Sequence, residues 1–99
     1  DVFAKQVAAL GRPGDVAWGI STSGNSPNVV AAIAEARGRG LATVGMTGRG
    51  GALAAGADLV FTVDSDVTAR IQETHITIGH ILCELVDRIL FPQGFTHEA

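Results

Sequence analysis

Hydrophobic positions along this chain follow two patterns that alternate from one end to the other. Apolar residues three or four positions apart predict helices, and short unbroken apolar runs between turn residues predict buried strands. The predicted helices cover residues 1–10, 27–37, 52–55 and 69–91, and the predicted strands cover residues 15–20, 41–46 and 58–63. Because strands and helices alternate, we expect an α/β fold with parallel strands, right-handed crossovers and helices on both faces of the sheet.

Glycine and proline separate these elements and end the pattern. Turn residues lie at 11–14 and 38–40, and Pro92 with Gly94 ends the last helix. We therefore expect residues 1–92 to belong to one domain and residues 93–99 to form a frayed tail.

Composition and charge narrow the classes of function. The chain is 46% hydrophobic, which excludes a disordered protein, and its net charge of −3 gives no attraction to nucleic acid. Its single cysteine cannot form an internal disulfide, and no apolar run reaches the roughly 20 residues that cross a bilayer. We expect neither nucleic acid nor membrane as a partner. The chain begins at Asp1 without a methionine, which suggests a fragment or a processed product.

A loop rich in hydroxyl groups, STSGNS at residues 21–26, follows the first predicted strand and precedes a helix. The free N–H groups and the dipole of a helix N-terminus favour an anion, and Gly24 permits close approach of the backbone. The loop matches neither the nucleotide P-loop nor the dinucleotide glycine pattern, so a sugar phosphate suits it better. The alternative is ordinary turn and cap chemistry, which accounts for Ser26 but not for four hydroxyl groups. Thr47 and Gly48, after the second strand, are candidates to line the same crevice.

The start of the last predicted helix carries candidate metal-binding or acid–base groups. His75 and His80 are five positions apart and so do not form the i, i+4 pair of a zincin helix. Gln72 and His80 are separated by about 12 Å along the helix axis, so one ion would need both side chains to lean toward it or ligands from another copy. The residues alone leave two interpretations open, a metal or acid–base site and ordinary surface histidines.

Two further residues receive structural predictions. Cys83 lies among apolar residues of the last helix and is expected to be a small buried hydrophobe. Trp18 lies within the first strand and is expected in the core.

The chain contains three separated motifs: DVAWGISTSGNSPNVVAAIAEARGRGL, MTGRGGALA and TARIQETHITIGHILCELVD. In this order and with this spacing they resemble the sugar-isomerase (SIS) domain family and, within it, the bacterial phosphoheptose isomerases. The resemblance covers nearly all of residues 1–92. It implies a three-layer αβα sandwich with a parallel sheet, of which this chain is the C-terminal part, in a homotetramer of the bacterial cytoplasm.

The resemblance also implies an activity and assigns residues to it. The family isomerises sedoheptulose 7-phosphate to D-glycero-D-manno-heptose 7-phosphate through an enediol, an early step toward lipopolysaccharide heptose. The substrate phosphate would be bound by the hydroxyl-rich loop: Ser21, Thr22, Ser23, Asn25 and Ser26. Gln72 and His80 match two ligands of a zinc ion, one ion per active site, and His80 also matches the catalytic acid–base histidine.

Other parts of the family's active site are missing from this sequence. The second base and two further zinc ligands lie on an earlier helix in an H-x-x-x-E pattern, and neither this pattern nor the GNGGS loop occurs here. Ala69 occupies a position where some of these isomerases have an aspartate, so no acid is expected there. We therefore expect the 99-residue chain alone to have no measurable isomerase activity.

Two other functions remain open from the sequence. The segments VFAKQVAALG, ARIQE and LCELVDRILFP also resemble a non-enzymatic SIS-domain protein that binds the bacterial replication initiator. A sugar-phosphate-sensing module of the SIS type is the other alternative, which the acidic charge argues against. His80 together with an intact STSGNS loop favours the isomerase.

Overall fold

The computed structural model of the chain describes residues 2–95. Its helices are α1 (Val2–Leu10), α2 (Pro27–Gly38), α3 (Ala52–Gly56) and α4 (Thr68–Leu90), and its strands are β1 (Val16–Ser21), β2 (Ala42–Thr47) and β3 (Leu59–Thr62). Every predicted helix and strand is present, with its ends within one residue of the prediction. A 3-10 turn at Pro92–Phe95 occupies part of the predicted tail. Asp1 and residues 96–99 lie outside the described residues.

The three strands form one parallel sheet in the order β1-β2-β3. Parallel strands need long crossovers, and α2 and α3 supply them, which confirms the predicted α/β fold. The register places Ser21 beside Thr47 and Thr47 beside Thr62. The carboxyl ends of all three strands therefore meet at one edge of the sheet.

Helices α2 and α3 cover one face of the sheet, and α1 packs against α2. Glycines allow this close approach: a Cβ at Gly19 would lie 2.9 Å from Val29, and one at Gly45 would lie 3.3 Å from Leu53. The buried apolar side chains of the described residues are Ile33, Ala36, Leu41, Met46, Leu53 and Ile71. None of the described helices is both long enough and apolar enough to span a membrane.

Helix α4 covers only part of the opposite face. Its Gly79 lies against the Trp18 ring, and Ile71 and His75 are the buried residues among those described in this helix. On β1, Val16, Trp18 and Ile20 remain 62%, 39% and 54% exposed. The expectation that Trp18 lies in the core is therefore wrong, because β1 is at the edge of the described sheet and α4 covers only part of this face.

The prediction for Cys83 is also wrong. Its side chain is exposed, because the second half of α4 buries no residue against the described part of the chain. An apolar stripe in sequence shows that a helix face can be buried, but the packing partner must also be present.

Candidate functional site

The carboxyl edge of the sheet brings two loops into direct contact. We call residues 21–26 the hydroxyl loop and residues 47–51 the glycine loop. The Gly48 N–H donates to the Thr22 carbonyl at 3.0 Å, and the Leu53 N–H donates to the Gly24 carbonyl at 2.8 Å. Two strand–loop–helix connections that are far apart in sequence therefore form one continuous surface.

Hydrogen bonds inside the hydroxyl loop set its shape. The buried Ser21 Oγ accepts the Gly24 N–H at 3.1 Å and lies 3.3 Å from the Ser23 Oγ. The Ser23 Oγ in turn accepts the Asn25 N–H at 3.1 Å. Ser26 occupies the predicted N-cap position of α2, but its hydroxyl makes no capping hydrogen bond. Ser21 thus supports the loop from below, while the other hydroxyl groups lie nearer the surface.

Glycine and asparagine join the two loops. Gly24 has a φ of +73°, and a Cβ there would collide with the Gly50 carbonyl oxygen. Asn25 Oδ1 accepts the Ala52 N–H at 2.9 Å, at the first residue of α3. Gly24 is thus required for contact between the loops, and the Asn25 amide oxygen is engaged in holding them together.

Thr47 and Gly48 lie beneath the crevice and do not line it. Thr47 is fully buried and Gly48 is buried, and a Cβ at Gly48 would lie 2.6 Å from the Thr22 carbonyl oxygen. Their backbone groups therefore support the hydroxyl loop, and the prediction that they form the crevice wall is corrected.

A small cavity of about 270 Å³ opens between the hydroxyl loop and the start of α4. Its lining includes Thr22 and Ser23 from the loop, Ser65 and Thr68 from the segment that begins α4, and Arg49. We call it the hydroxyl cavity. Ser65 and Thr68 are not among the predicted site residues, although Ser65 follows a strand and precedes a helix, as the hydroxyl loop does, and Thr68 is the first residue of α4.

Arg49 places a positive charge at the hydroxyl cavity, where it pairs with two carboxylates, Asp64 and Asp66, the second of which also lines the cavity. Its Nε lies 3.0 Å from Asp64 Oδ1, and its Nη1 lies 3.8 Å from Asp66 Oδ2. All three side chains are exposed, so water and salt weaken both ion pairs. An anion in the cavity would compete with these carboxylates for the guanidinium.

A larger cavity of about 480 Å³ lies between α4 and β1, and we call it the α4 cavity. Gln72 and His80 both line it, with His75 between them in sequence and Trp18 and Cys83 on its apolar wall. The structure therefore brings Gln72 and His80 to one cavity despite their spacing of eight residues. A third cavity, between α1 and β1, contains none of the predicted site residues.

The described residues form no complete metal site. Within residues 2–95, no group of three or more histidine, cysteine, aspartate or glutamate side chains is placed to hold an ion. Gln72 and His80 face one cavity, and an imidazole is a common ligand for zinc. These two residues fit as members of a shared ligand set and not as a complete site.

Comparisons with known proteins agree with this architecture. Residues 1–48 match the family model described as SIS domain. The chain is 63% identical over 91 residues to a phosphoheptose isomerase of Nitratidesulfovibrio vulgaris, and 58% identical over 93 residues to one of Roseiflexus. These alignments cover 91% and 93% of this chain but only 44% and 47% of the relatives. The chain thus spans a little under half the length of the curated relatives it matches.

Solved structures extend the likeness to the fold. A phosphoheptose isomerase from Francisella tularensis matches with a TM-score of 0.83 at 43% identity, over 88% of this chain and 50% of that one. One from Neisseria gonorrhoeae matches with a TM-score of 0.84 at 50% identity, over 87% and 50%. The family-model match over residues 1–48, the sequence identities and the shared fold together show that this chain is similar to one part of the SIS-domain phosphoheptose isomerases.

Proposed function

We propose that the full-length protein containing this chain is a phosphoheptose isomerase that converts sedoheptulose 7-phosphate into D-glycero-D-manno-heptose 7-phosphate. The observation that carries the proposal is the arrangement along α4, whose start borders the hydroxyl cavity and whose His80 lines the α4 cavity. The 63% identity to an isomerase supports the choice of substrate. The named relatives give the initiator-binding and sensing alternatives no support.

In this proposal the hydroxyl loop holds the phosphate of the substrate. Thr22 and Ser23 present hydroxyl groups to the cavity, and Ser65 and Thr68 add two more from the opposite side. Ser26 is the N-cap residue of α2, whose N-terminal dipole favours an anion. Ser21 and Asn25 act indirectly, by holding the loop in shape.

His80 is the proposed acid–base group of the isomerisation. The reaction moves a proton between C1 and C2 of the sugar through an enediol, so a group that takes and returns a proton near neutral pH is needed. His80 is exposed and lines the α4 cavity. The proposal requires a substrate anchored at the hydroxyl loop to extend its carbonyl end to this residue. The second base of the reaction would come from outside this chain.

Gln72 and His80 are also the proposed zinc ligands of this chain. Bound zinc would stabilise negative charge on the oxygens of the substrate. The remaining ligands would come from outside the chain, in keeping with the partial donor set of the described residues. His80 thus has two proposed roles, metal ligand and acid–base group, which separate measurements of metal content and turnover can distinguish.

We also propose a homotetramer in the bacterial cytoplasm that acts early in the synthesis of lipopolysaccharide heptose. Support for association comes from exposed apolar side chains on the second half of α4: Ile81, Leu85, Val86, Ile89 and Leu90. Contiguous exposed apolar surface is typical of a contact with another protein surface.

The test uses the full-length protein with sedoheptulose 7-phosphate as substrate. We expect turnover and a stoichiometric content of zinc. His80→Ala is expected to lower kcat by about 100- to 10,000-fold while inorganic phosphate still binds. Thr77→Ala, an exposed site on the same helix, is the matched control and should keep wild-type turnover. Full activity in His80→Ala would refute the role of this residue, and initiator binding without turnover would refute the proposed function.

A further inference from the structure

A buried histidine, His75, lies between Gln72 and His80 on α4 and has neither of their proposed roles. His75 is only 4% exposed, and its Nε2 lies 2.8 Å from the Thr47 carbonyl oxygen. Because a carbonyl oxygen only accepts hydrogen bonds, Nε2 carries the proton and His75 is the donor. This bond joins α4, at its eighth residue, to the carboxyl end of β2.

The end of β2 also holds the hydroxyl loop. The Thr47 carbonyl accepts the Val63 N–H at 3.1 Å in addition to the His75 bond. The next residue, Gly48, donates its N–H to the Thr22 carbonyl at 3.0 Å. Thr47, the last residue of β2, and Gly48, the residue after it, therefore hold both the proposed phosphate-binding loop and the helix with the proposed catalytic residue.

Because of its position along α4, the His75 bond to Thr47 can fix where both Gln72 and His80 lie. Gln72 is three residues before it and His80 five residues after it, so they lie about 4.5 Å and 7.5 Å away along a rigid helix. Ile71 is the other buried residue among those described in α4, and its contact with Gly48 is apolar. Apolar contacts have little directional preference, whereas a hydrogen bond fixes both distance and angle.

The second ring nitrogen of His75 argues against a role in packing alone. Nδ1 is buried and has no hydrogen-bond partner within residues 2–95. An unpaired buried polar atom costs free energy, and an apolar side chain of similar size would fill the same space without that cost. The feature that only a polar residue supplies here is the directional bond to Thr47.

We propose that His75 is a positioning residue for the isomerisation, which sets the place of His80 and Gln72 relative to the phosphate held by the hydroxyl loop. This inference rests on the proposed function. It assigns His75 no contact with the substrate. Loss of the bond would leave phosphate binding intact and would displace the reacting groups, and a displacement of about 1 Å can lower a rate about 100-fold.

The test compares three substitutions in the full-length protein. His75→Leu removes the donor, His75→Gln keeps an N–H at the reach of Nε2, and Thr77→Ala is the control on the exposed face of α4. For His75→Leu we expect kcat for sedoheptulose 7-phosphate to fall about 10- to 100-fold, with the inhibition constant of inorganic phosphate within about twofold of wild type. His75→Gln should recover most of the lost kcat.

Parallel losses of kcat and phosphate affinity, or no recovery in His75→Gln, would overturn the proposal. If His75→Leu does not fold, the comparison of kcat between His75→Gln and His75→Asn tests the proposal. The shorter side chain of asparagine cannot reach the Thr47 carbonyl, so His75→Asn should have the lower kcat. A wild-type protein without turnover would refute the proposed function. In that case amide hydrogen exchange tests whether the bond from His75 to Thr47 holds α4 to the sheet. Exchange over residues 68–80 should be faster in His75→Asn than in His75→Gln, and equal rates would overturn the inference.

Discussion

The amino and carboxyl edges of the sheet both hold polar side chains, in different arrangements. At the amino edge, Asp58 Oδ2 accepts hydrogen bonds from the N–H and the hydroxyl of Thr43, both at 2.9 Å. The Thr43 Oγ1 accepts the Asp58 N–H at 2.9 Å, and Arg37 Nε lies 3.3 Å from Asp58 Oδ1. The pKa of Asp58 is lowered, first by the backbone hydrogen bond from Thr43 and then by the Thr43 hydroxyl and the charge of Arg37. Desolvation of the carboxylate acts in the opposite direction and raises the pKa.

At the carboxyl edge the hydroxyl groups are only partly used. Ser21 and Ser23 support the loop, whereas the hydroxyls of Thr22 and Ser26 make no hydrogen bond within the described residues. The amino-edge groups satisfy one another and stabilise the fold, and the carboxyl-edge groups keep donors for a ligand. The same residue type, threonine, thus stabilises the fold at one edge and, in the proposed function, binds the ligand at the other.

Gly24→Ala should have the largest effect, because it breaks the carboxyl edge at its most crowded contact. The added Cβ would collide with the Gly50 carbonyl at a residue whose φ is +73°. We expect the free energy of unfolding to fall by about 3 kcal/mol or more, with loss of phosphate binding. Denaturant unfolding and phosphate titration measure both.

The matched control for Gly24→Ala is Gly38→Ala at the end of α2. No atom lies within 4 Å of a Cβ there, and the residue is helical. Alanine should stabilise the protein by about 0.5–1 kcal/mol. Wild-type stability and phosphate affinity in Gly24→Ala would show that the two loops can move apart freely.

Thr43→Val tests the amino edge alone. It removes the hydroxyl of Thr43, a residue only 1% exposed, which donates to the Asp58 carboxylate and accepts the Asp58 N–H. We expect the free energy of unfolding to fall by about 1–2 kcal/mol, while kcat and KM stay unchanged. Chemical denaturation and steady-state kinetics on the same preparation check this, and a change in KM would contradict the separation of the two edges.

Thr22→Val is the same substitution at the opposite edge. The lost hydroxyl faces the hydroxyl cavity, so inorganic phosphate should bind about 3- to 10-fold more weakly. The free energy of unfolding should change by less than about 0.5 kcal/mol. If Thr22→Val lowered stability and left phosphate affinity unaltered, the hydroxyl loop would be a structural turn.

The smallest expected effect concerns acid stability. Because folding lowers the pKa of Asp58 below its usual 3.8, its carboxylate stabilises the fold above that value, and this contribution disappears as pH falls through the lowered pKa. The difference in Tm between wild type and Asp58→Asn should therefore shrink between about pH 5 and pH 2. A difference that stays constant with pH would contradict the assignment.

Local sequence signals predicted most of the fold. Apolar periodicity with glycine and proline turns placed every helix and strand, because these signals depend on neighbouring residues. The exposure of Trp18 and Cys83 was mispredicted, since an apolar residue becomes core only when another element covers it. Burial depends on contacts between distant segments, and apolar spacing does not report whether they form.

The candidate site divides in the same way. The hydroxyl loop was predicted because a run of hydroxyl residues before a helix is a local pattern, and Gln72 and His80 were assigned by resemblance. Ser65 and Thr68 were missed, because only the packing of α4 brings them opposite Thr22.

By itself, the sequence determined the order of elements, the parallel sheet and the hydroxyl groups that the loop at residues 21–26 carries, since each follows from residue type and local spacing. Only the tertiary structure decided that Gln72 and His80 share one cavity and that Thr47 lies beneath the crevice. Only it revealed the bond from His75 to Thr47, across 28 positions of sequence. Such contacts depend on how α4 docks on the sheet, a geometry that no local pattern of residues encodes.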